Sequence, residues 1–316
     1  MYKNFYSLKR NPFEISPDPY FLFPTSRHNE ALASVYYGVC RRKGFIVMSG
    51  EVGTGKTLLV RCLLELLSRR QIAFANVFNS RLSALDFLRY IVGDLGLKPA
   101  DQSKSGILLE LNNYLIARYR KGEITALIVD EAQHLSSEVL EEIRLLSNLE
   151  TTQHKLLQIL LVGQPELEPK LDSYELRQLK QRIALRCRLE PLELEETRGY
   201  IMRRLELAGA NGRADKIFPR PAVALIHQHS RGIPRLINTI CENALIASYA
   251  QRADSVTPKT VEEVSAEFRL AAPPTPPSGS AKVEPEALLR AFTTLVETLE
   301  KMGSAKVGNA AAADRS

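Results

Sequence analysis

No stretch of the 316 residues approaches the roughly 18 consecutive apolar residues that cross a bilayer, and the opening Met1-Tyr2-Lys3-Asn4-Phe5-Tyr6 lacks the apolar core of a signal peptide. The expectation is a soluble, cytoplasmic chain with no transmembrane segment. Cysteine is sparse: Cys40, Cys62, Cys187 and Cys241 lie far apart, with no Cys-x-x-Cys pair and no Cys/His cluster. That excludes a zinc-stapled module and fits reduced thiols. His227 and His229 are spaced for a metal but lack third and fourth ligands, and no nucleophile elbow is present for serine hydrolase chemistry.

What is present is ordinary globular material, 45% hydrophobic and 25% charged, enough for one large domain and a smaller one. The formal net charge of +6 admits nucleic acid, an acidic protein or an anionic membrane surface, and selects none of them. Basic residues gather in 177–204, with Arg177, Lys180, Arg182, Arg186, Arg188, Arg198, Arg203 and Arg204. Such a run reads either as a solvated helix face or as a track for phosphates.

Residues 1–30 are rich in aromatics and prolines, which predicts an ordered, extended segment packed on something. Helical spacing at Ala31, Leu32, Val35 and Tyr36 leads into the apolar run Phe45-Ile46-Val47-Met48, a buried strand ending at Gly50. A helix over 58–67, a strand over 72–78 and a helix over 84–95 follow. Next come a helix over 107–119, a strand over 125–129, a helix over 137–149 and a strand over 157–162. Four apolar strands alternating with helices predict a parallel α/β sheet. Beyond Pro191 strand signals fade, and helices are expected over 195–208, 221–229, 234–250 and 258–268, a small all-helical second domain.

The expected layout is a nucleotide-binding α/β domain with its N-terminal extended segment over 1–192, then a helical lid over 193–270. A proline-rich linker over 271–285, an amphipathic helix over 286–303 and a disordered tail over 304–316 complete it. In the amphipathic helix Leu288, Phe292, Leu295, Leu299 and Met302 form an a/d stripe over two heptads, too few for an isolated coil. The stripe is either a docking helix or one that lies back on the body.

Gly50-Glu51-Val52-Gly53-Thr54-Gly55-Lys56-Thr57, followed by Leu58, satisfies the phosphate-loop pattern and sits between a predicted strand and a predicted helix. Glycines let the loop turn so that backbone N–H groups face phosphate, and the helix N-terminus adds favourable potential. Lys56 is expected on the β and γ phosphates of ATP and Thr57 on magnesium. The strand Ala126-Leu127-Ile128-Val129 ends in Asp130 and Glu131, placed where a parallel sheet presents its carboxyl edge. Asp130 is the expected magnesium ligand and Glu131 the general base. The fourth strand runs to Gln164, which would sit beside the γ phosphate as sensor 1. Arg182 is the arginine-finger candidate ahead of Arg177, a group that contributes about 10³ to 10⁵ in rate where it acts between subunits. Arg235, just inside a helix opened by Pro234, is the sensor-2 candidate.

With these residues in place the chain resembles the AAA+ ATPases of the general secretion pathway A type, the ExeA/GspA-like family, relatives of the TnsC transposition ATPases. Similarity runs over roughly residues 1–268. It rests on the opening Phe5-Tyr6-Ser7-Leu8-Lys9-Arg10-Asn11-Pro12-Phe13 with Pro17-Asp18-Pro19-Tyr20-Phe21, on the phosphate loop, and on Val129-Asp130-Glu131-Ala132-Gln133. It continues through 145–151, Leu161-Val162-Gly163-Gln164-Pro165-Glu166-Leu167, Leu179-Lys180-Gln181-Arg182-Ile183 and 232–238. The resemblance implies an ATP-driven homo-oligomer, often a ring, acting with magnesium on a partner assembly of the cell envelope or secretion system. A peripheral place at the inner membrane, through that partner, follows. Members commonly continue into a membrane span and a periplasmic peptidoglycan-binding region, and neither is present in this sequence. A DNA-dependent regulator of the transposition kind and an ATP-binding switch with little turnover are the alternatives.

Overall fold

The computed structural model describes residues 2–14, 18–21, 23–78 and 81–270. The linker, amphipathic helix and tail expected over 271–316 lie outside the described residues, as does Pro17.

Five strands build one parallel sheet: β1 (Phe45–Gly50), β2 (Ala73–Val77), β3 (Thr125–Val129), β4 (Leu157–Gly163) and β5 (Ile183–Leu189), in the order β2-β3-β4-β1-β5. Side chains alternate between faces along a strand, and the core divides accordingly. Phe45 and Val47 of β1, with Leu127 and Val129 of β3, face one layer of helices: α4 (Ala84–Asp94), α5 (Lys104–Arg120) and α6 (Ser137–Leu146). Ile46, Met48, Ala126 and Ile128 face the other, α2 (Ser26–Cys40) and α3 (Lys56–Arg69). Because β1, β3 and β4 are covered on both faces, they are buried throughout and read as predominantly apolar runs, with Gln158 of β4 bonded to the Gly44 N–H. Side-chain caps fix the helix starts: Thr25, Ser83, Ser103 and Ser136 each accept a first-turn N–H.

Strand β5 departs from expectation. The segment 177–204 is neither one helix nor one basic face. After the short α7 (Leu167–Leu171) it holds a single turn, α8 (Arg177–Lys180), then β5 with alternating half-buried and exposed residues, then α9 (Leu194–Ala208). Edge position explains the masking: half of an edge strand meets solvent, so Arg186 and Arg188 interrupt the apolar signal of Leu185, Cys187 and Leu189.

Helices α9, α10 (Ala214–Ile217), α11 (Arg220–Ser230), α12 (Pro234–Ala250) and α13 (Pro258–Glu267) gather around a separate apolar cluster that includes Ile201, Phe218, Ile226, Ile240 and Leu245. The opening segment, grouped with the sheet in the expected layout, instead buries its aromatics here. Tyr2 and Tyr6, from and beside the short helix α1 (Tyr2–Phe5), pack in this cluster with Leu8 and Phe13. Phe13 meets Phe218 edge to face at 5.8 Å, and the Tyr2 hydroxyl donates to Glu242 at 2.8 Å. Gly232 joins the helical part to the sheet. At φ 71° it lies so close to Leu192 that a Cβ would stand 1.9 Å from the Leu192 carbonyl oxygen, and its own carbonyl accepts the Leu192 N–H at 2.8 Å.

Candidate functional site

The first turn of α3 begins at Lys56 directly from the loop that leaves β1 at Gly50. Gly55, in the left-handed region at φ 101°, is the N-cap and has no side chain to occupy the first-turn N–H groups, which are left for an anion. Lys56 is buried and donates to the carbonyls of Gly50 at 2.7 Å and Glu51 at 2.9 Å. Burial pulls its ammonium below the ordinary lysine range, against the pull of Glu131, Asp130 and Glu51. Thr54 is buried and ties back to the Glu51 carbonyl at 2.8 Å, while Val52 at the loop tip is half exposed.

Asp130 lies at the carboxyl edge of β3, buried, with Oδ2 3.3 Å from the Thr57 hydroxyl that donates to it and Oδ1 accepting the Glu131 N–H at 2.9 Å. Burial raises its carboxyl above the ordinary range, and the neighbouring Glu131 charge adds to that. Glu131 takes φ 54°, a left-handed backbone that costs a non-glycine residue about 1–3 kcal/mol and that clusters at functional sites. Its Oε2 accepts from Gln133 Nε2 at 2.5 Å and Gln164 Nε2 at 3.1 Å. Burial pushes this carboxyl up, but the two amide hydrogen bonds and the Lys56 charge outweigh it and hold the group below the usual glutamate range. Gln164 is fixed in turn, its backbone N–H donating to the Gln133 amide oxygen Oε1 at 3.0 Å.

The helical part closes over this loop. The Arg235 N–H, in the first turn of α12, donates to the Gly53 carbonyl at 3.2 Å, and a Cβ on Gly53 would stand 2.7 Å from that of Arg235. Between them opens a cleft of about 440 Å³ whose walls include Gly53, Lys56, Thr57, Glu131, Gln164 and Arg235. Behind Gly55 and Leu58 a smaller chamber of about 50 Å³ is lined by Phe21, Phe23 and Leu192.

Lys56, Thr57, Asp130, Glu131, Gln164 and Arg235 are thus brought together with the loop 50–58. Arg182 is not. Its guanidinium donates to Ser147 Oγ at 2.7 Å at the end of α6, away from the cleft of its own chain. Sequence reasoning missed Gln133, which joins Glu131 to Gln164. Its position two residues past the carboxylate was the available signal. It also missed His28, 3.2 Å from the Thr54 carbonyl, and the α9 pair Tyr200 and Arg204. Arg204 is buried, donating to the Pro12 carbonyl at 2.5 Å and the Tyr200 hydroxyl at 2.8 Å. No local pattern announces a contact between residues so far apart in the chain.

Residues 40–171 match the family model for the AAA domain. Over 258 residues the chain is 43% identical to general secretion pathway protein A of Aeromonas hydrophila, covering 81% of this chain and 46% of that one. It therefore spans less than half the length of that relative. Among solved structures, Cdc6p of Pyrobaculum aerophilum aligns at TM-score 0.62 and 18% identity over 80% of this chain and 70% of its own. The ORC2 protein of Aeropyrum pernix, solved in ADPNP-ADP complexes, aligns at 0.59 and 19% over 82% and 72%. At such identities the likeness is one of fold. Among the described residues no helix is long and apolar enough to cross a membrane. A parallel sheet flanked by helices, followed by a helical lid, places the chain in the AAA+ P-loop ATPase family, as a homologue of general secretion pathway protein A over this domain.

Proposed function

We propose that the chain binds ATP in the cleft above the 50–58 loop, hydrolyses it with magnesium, and uses the cycle to assemble or remodel a partner complex of the cell envelope. The observation that carries this reading is Glu131, a carboxylate kept ionised by Gln133 and Gln164 at the edge of a cleft that also holds Lys56.

Loop N–H groups and Lys56 hold the phosphates, the ammonium exchanging its two loop carbonyls for phosphate oxygens. Thr57 and Asp130 offer hard oxygens 3.3 Å apart, and a buried carboxylate with a raised pKa beside a second one is a donor set that suits a divalent cation. Magnesium bound there would screen the phosphate charge. Glu131 takes the proton of the attacking water, and Gln164 and Gln133 aim it. Arg235 couples the lid to the phosphates. Arg182, parked on Ser147, serves the phosphate of a neighbouring copy in a homo-oligomer. Phe21 and Phe23 give the base an apolar wall.

The envelope assignment is drawn from the secretion-pathway relative. A DNA track along 177–204 gains no support, since Lys180 pairs with Asp172, Arg186 with Glu168 and Arg198 with Asp215, and Arg204 is buried. Phosphate release, measured with and without duplex DNA at low and moderate salt, tests the reading. Turnover indifferent to DNA is expected. Salt-sensitive stimulation by DNA overturns the envelope assignment, and tight nucleotide binding without turnover makes the chain a switch.

A further inference from the structure

The end of the sheet opposite the nucleotide cleft carries a concentration of charge that no single run in the sequence displays. Helices α2, α3 and α5 run against the strands and all finish at this edge, where three turns lead into β1, β2 and β3. Register holds those turns level: Ala73 pairs with Thr125 and Thr125 with Leu157, while Phe45 pairs with Ile159 on the other side of β4. Hydrogen bonds tie the turns together. Arg42 Nη2 donates to the carbonyls of Gly122 at 3.2 Å and Glu123 at 2.7 Å, and Arg118 Nη2 to those of Gln71 at 3.3 Å and Ile124 at 3.2 Å.

Six further cations stand exposed on this rim: Arg41, Lys43, Arg69, Arg70, Arg120 and Lys121. None forms an ion pair with a described carboxylate; Arg118 takes Glu123 instead. Without these six, the basic and acidic residues of the whole chain balance at 36 each. Cations at helix C-termini complement the helix dipole, but Arg42 and Arg118 already bond the turn carbonyls, and the dipole gives no reason for six more. Tyrosines back the rim, with Arg70 5.6 Å from the ring of Tyr36 and Arg41 6.0 Å from that of Tyr37, which is itself half exposed. An open recess of about 300 Å³ lies between the turns, bounded by Arg70, Lys121 and Glu123 among others.

We propose that this rim is a docking face for an anionic phospholipid bilayer, contacted directly rather than through a partner protein. Proteins grip duplex phosphates closely, often with backbone N–H groups and helix N-termini. This face is made of helix C-termini, whose dipoles repel a phosphate held against them. A charged leaflet acts at a distance, through a surface potential felt over a Debye length, and long Lys and Arg side chains reach into it. Tyrosine suits the same wet, polar boundary. Such a seat leaves the cleft and the helical lid facing away from the membrane.

The test is flotation of the full chain with vesicles of phosphatidylcholine, alone or mixed with phosphatidylglycerol, at low and moderate salt. Binding is expected only with phosphatidylglycerol, weakening as salt rises. Each basic residue near the surface strengthens binding about fivefold, so Arg69→Gln with Arg70→Gln is expected to lose about 25-fold. Replacing all six by Gln is expected to abolish flotation, whereas Lys216→Gln with Arg220→Gln, exposed on the helical part, leaves it unchanged. Thermal melting of each variant separates lost binding from lost fold. Failure of the unaltered chain to float with phosphatidylglycerol, or flotation that survives all six changes, overturns the proposal. So does duplex DNA that binds through these six residues while vesicles do not.

Discussion

Gln164 reaches back from the end of β4 to Glu131 at the end of β3, its Nε2 donating to the carboxylate Oε2 at 3.1 Å. Gln133 donates to the same oxygen and also accepts the Gln164 N–H. Glu131, Gln133 and Gln164 therefore fix one another, and the carboxylate proposed as the base is held below the usual glutamate range although it is partly buried.

Removing either amide takes away one of the hydrogen bonds that oppose burial, so the Glu131 carboxyl pKa rises. A base with a raised pKa is protonated at higher pH. The acid limb of the kcat profile of Gln133→Ala is therefore expected to move to higher pH, with ATP affinity little changed. A profile that keeps its acid limb while kcat falls would leave Gln133 a merely structural residue.

Lys56→Ala removes the buried ammonium from the loop carbonyls and from the phosphates. Hydrogen bonds to charged groups contribute about 1.5–3 kcal/mol, so nucleotide affinity is expected to fall about 10- to 100-fold. Equilibrium titration with a fluorescent ATP analogue measures it, and unchanged affinity would remove Lys56 from the site.

Arg182→Ala is expected to bind ATP normally and lose turnover, by about 10³-fold or more if the residue acts as a finger. Mixing it with Glu131→Gln protein restores activity at interfaces where an intact Arg182 faces an intact Glu131. Absence of rescue, together with a lower melting temperature, would make Arg182 a cap on Ser147 alone.

Gly232→Ala sets a methyl group against the Leu192 carbonyl and forces a left-handed alanine. Left-handed backbone alone costs about 1–2 kcal/mol, and the contact adds to it, so a lowered unfolding midpoint is expected in thermal melts. A native midpoint would mean that the junction shifts freely.

The legible parts of this molecule are those encoded locally. Gly50 through Leu58 announces a phosphate loop because spacing within nine residues sets its geometry, and β1, β3 and β4 announce themselves because burial on both faces makes them predominantly apolar. Strand β5 hides because its outer residues, Arg186 and Arg188, meet solvent. Packing of Tyr2 and Phe13 against the helical cluster joins residues more than two hundred apart, which no window sees. Charge is the sharpest contrast. In the visible basic run at 177–204, Lys180, Arg186 and Arg198 are ion-paired and Arg204 is buried, whereas the rim is assembled from three short runs that become neighbours only when three helices end at one edge.

Glu131→Gln tests the central claim most directly, with magnesium-dependent phosphate release and ATP binding measured on the same protein. General-base contributions of about 10²–10⁴ set the scale. Turnover is expected to fall by at least 10²-fold while ATP binding is retained. Turnover at the native rate, with binding intact, would contradict Glu131 as the base and with it the catalytic reading of the cleft.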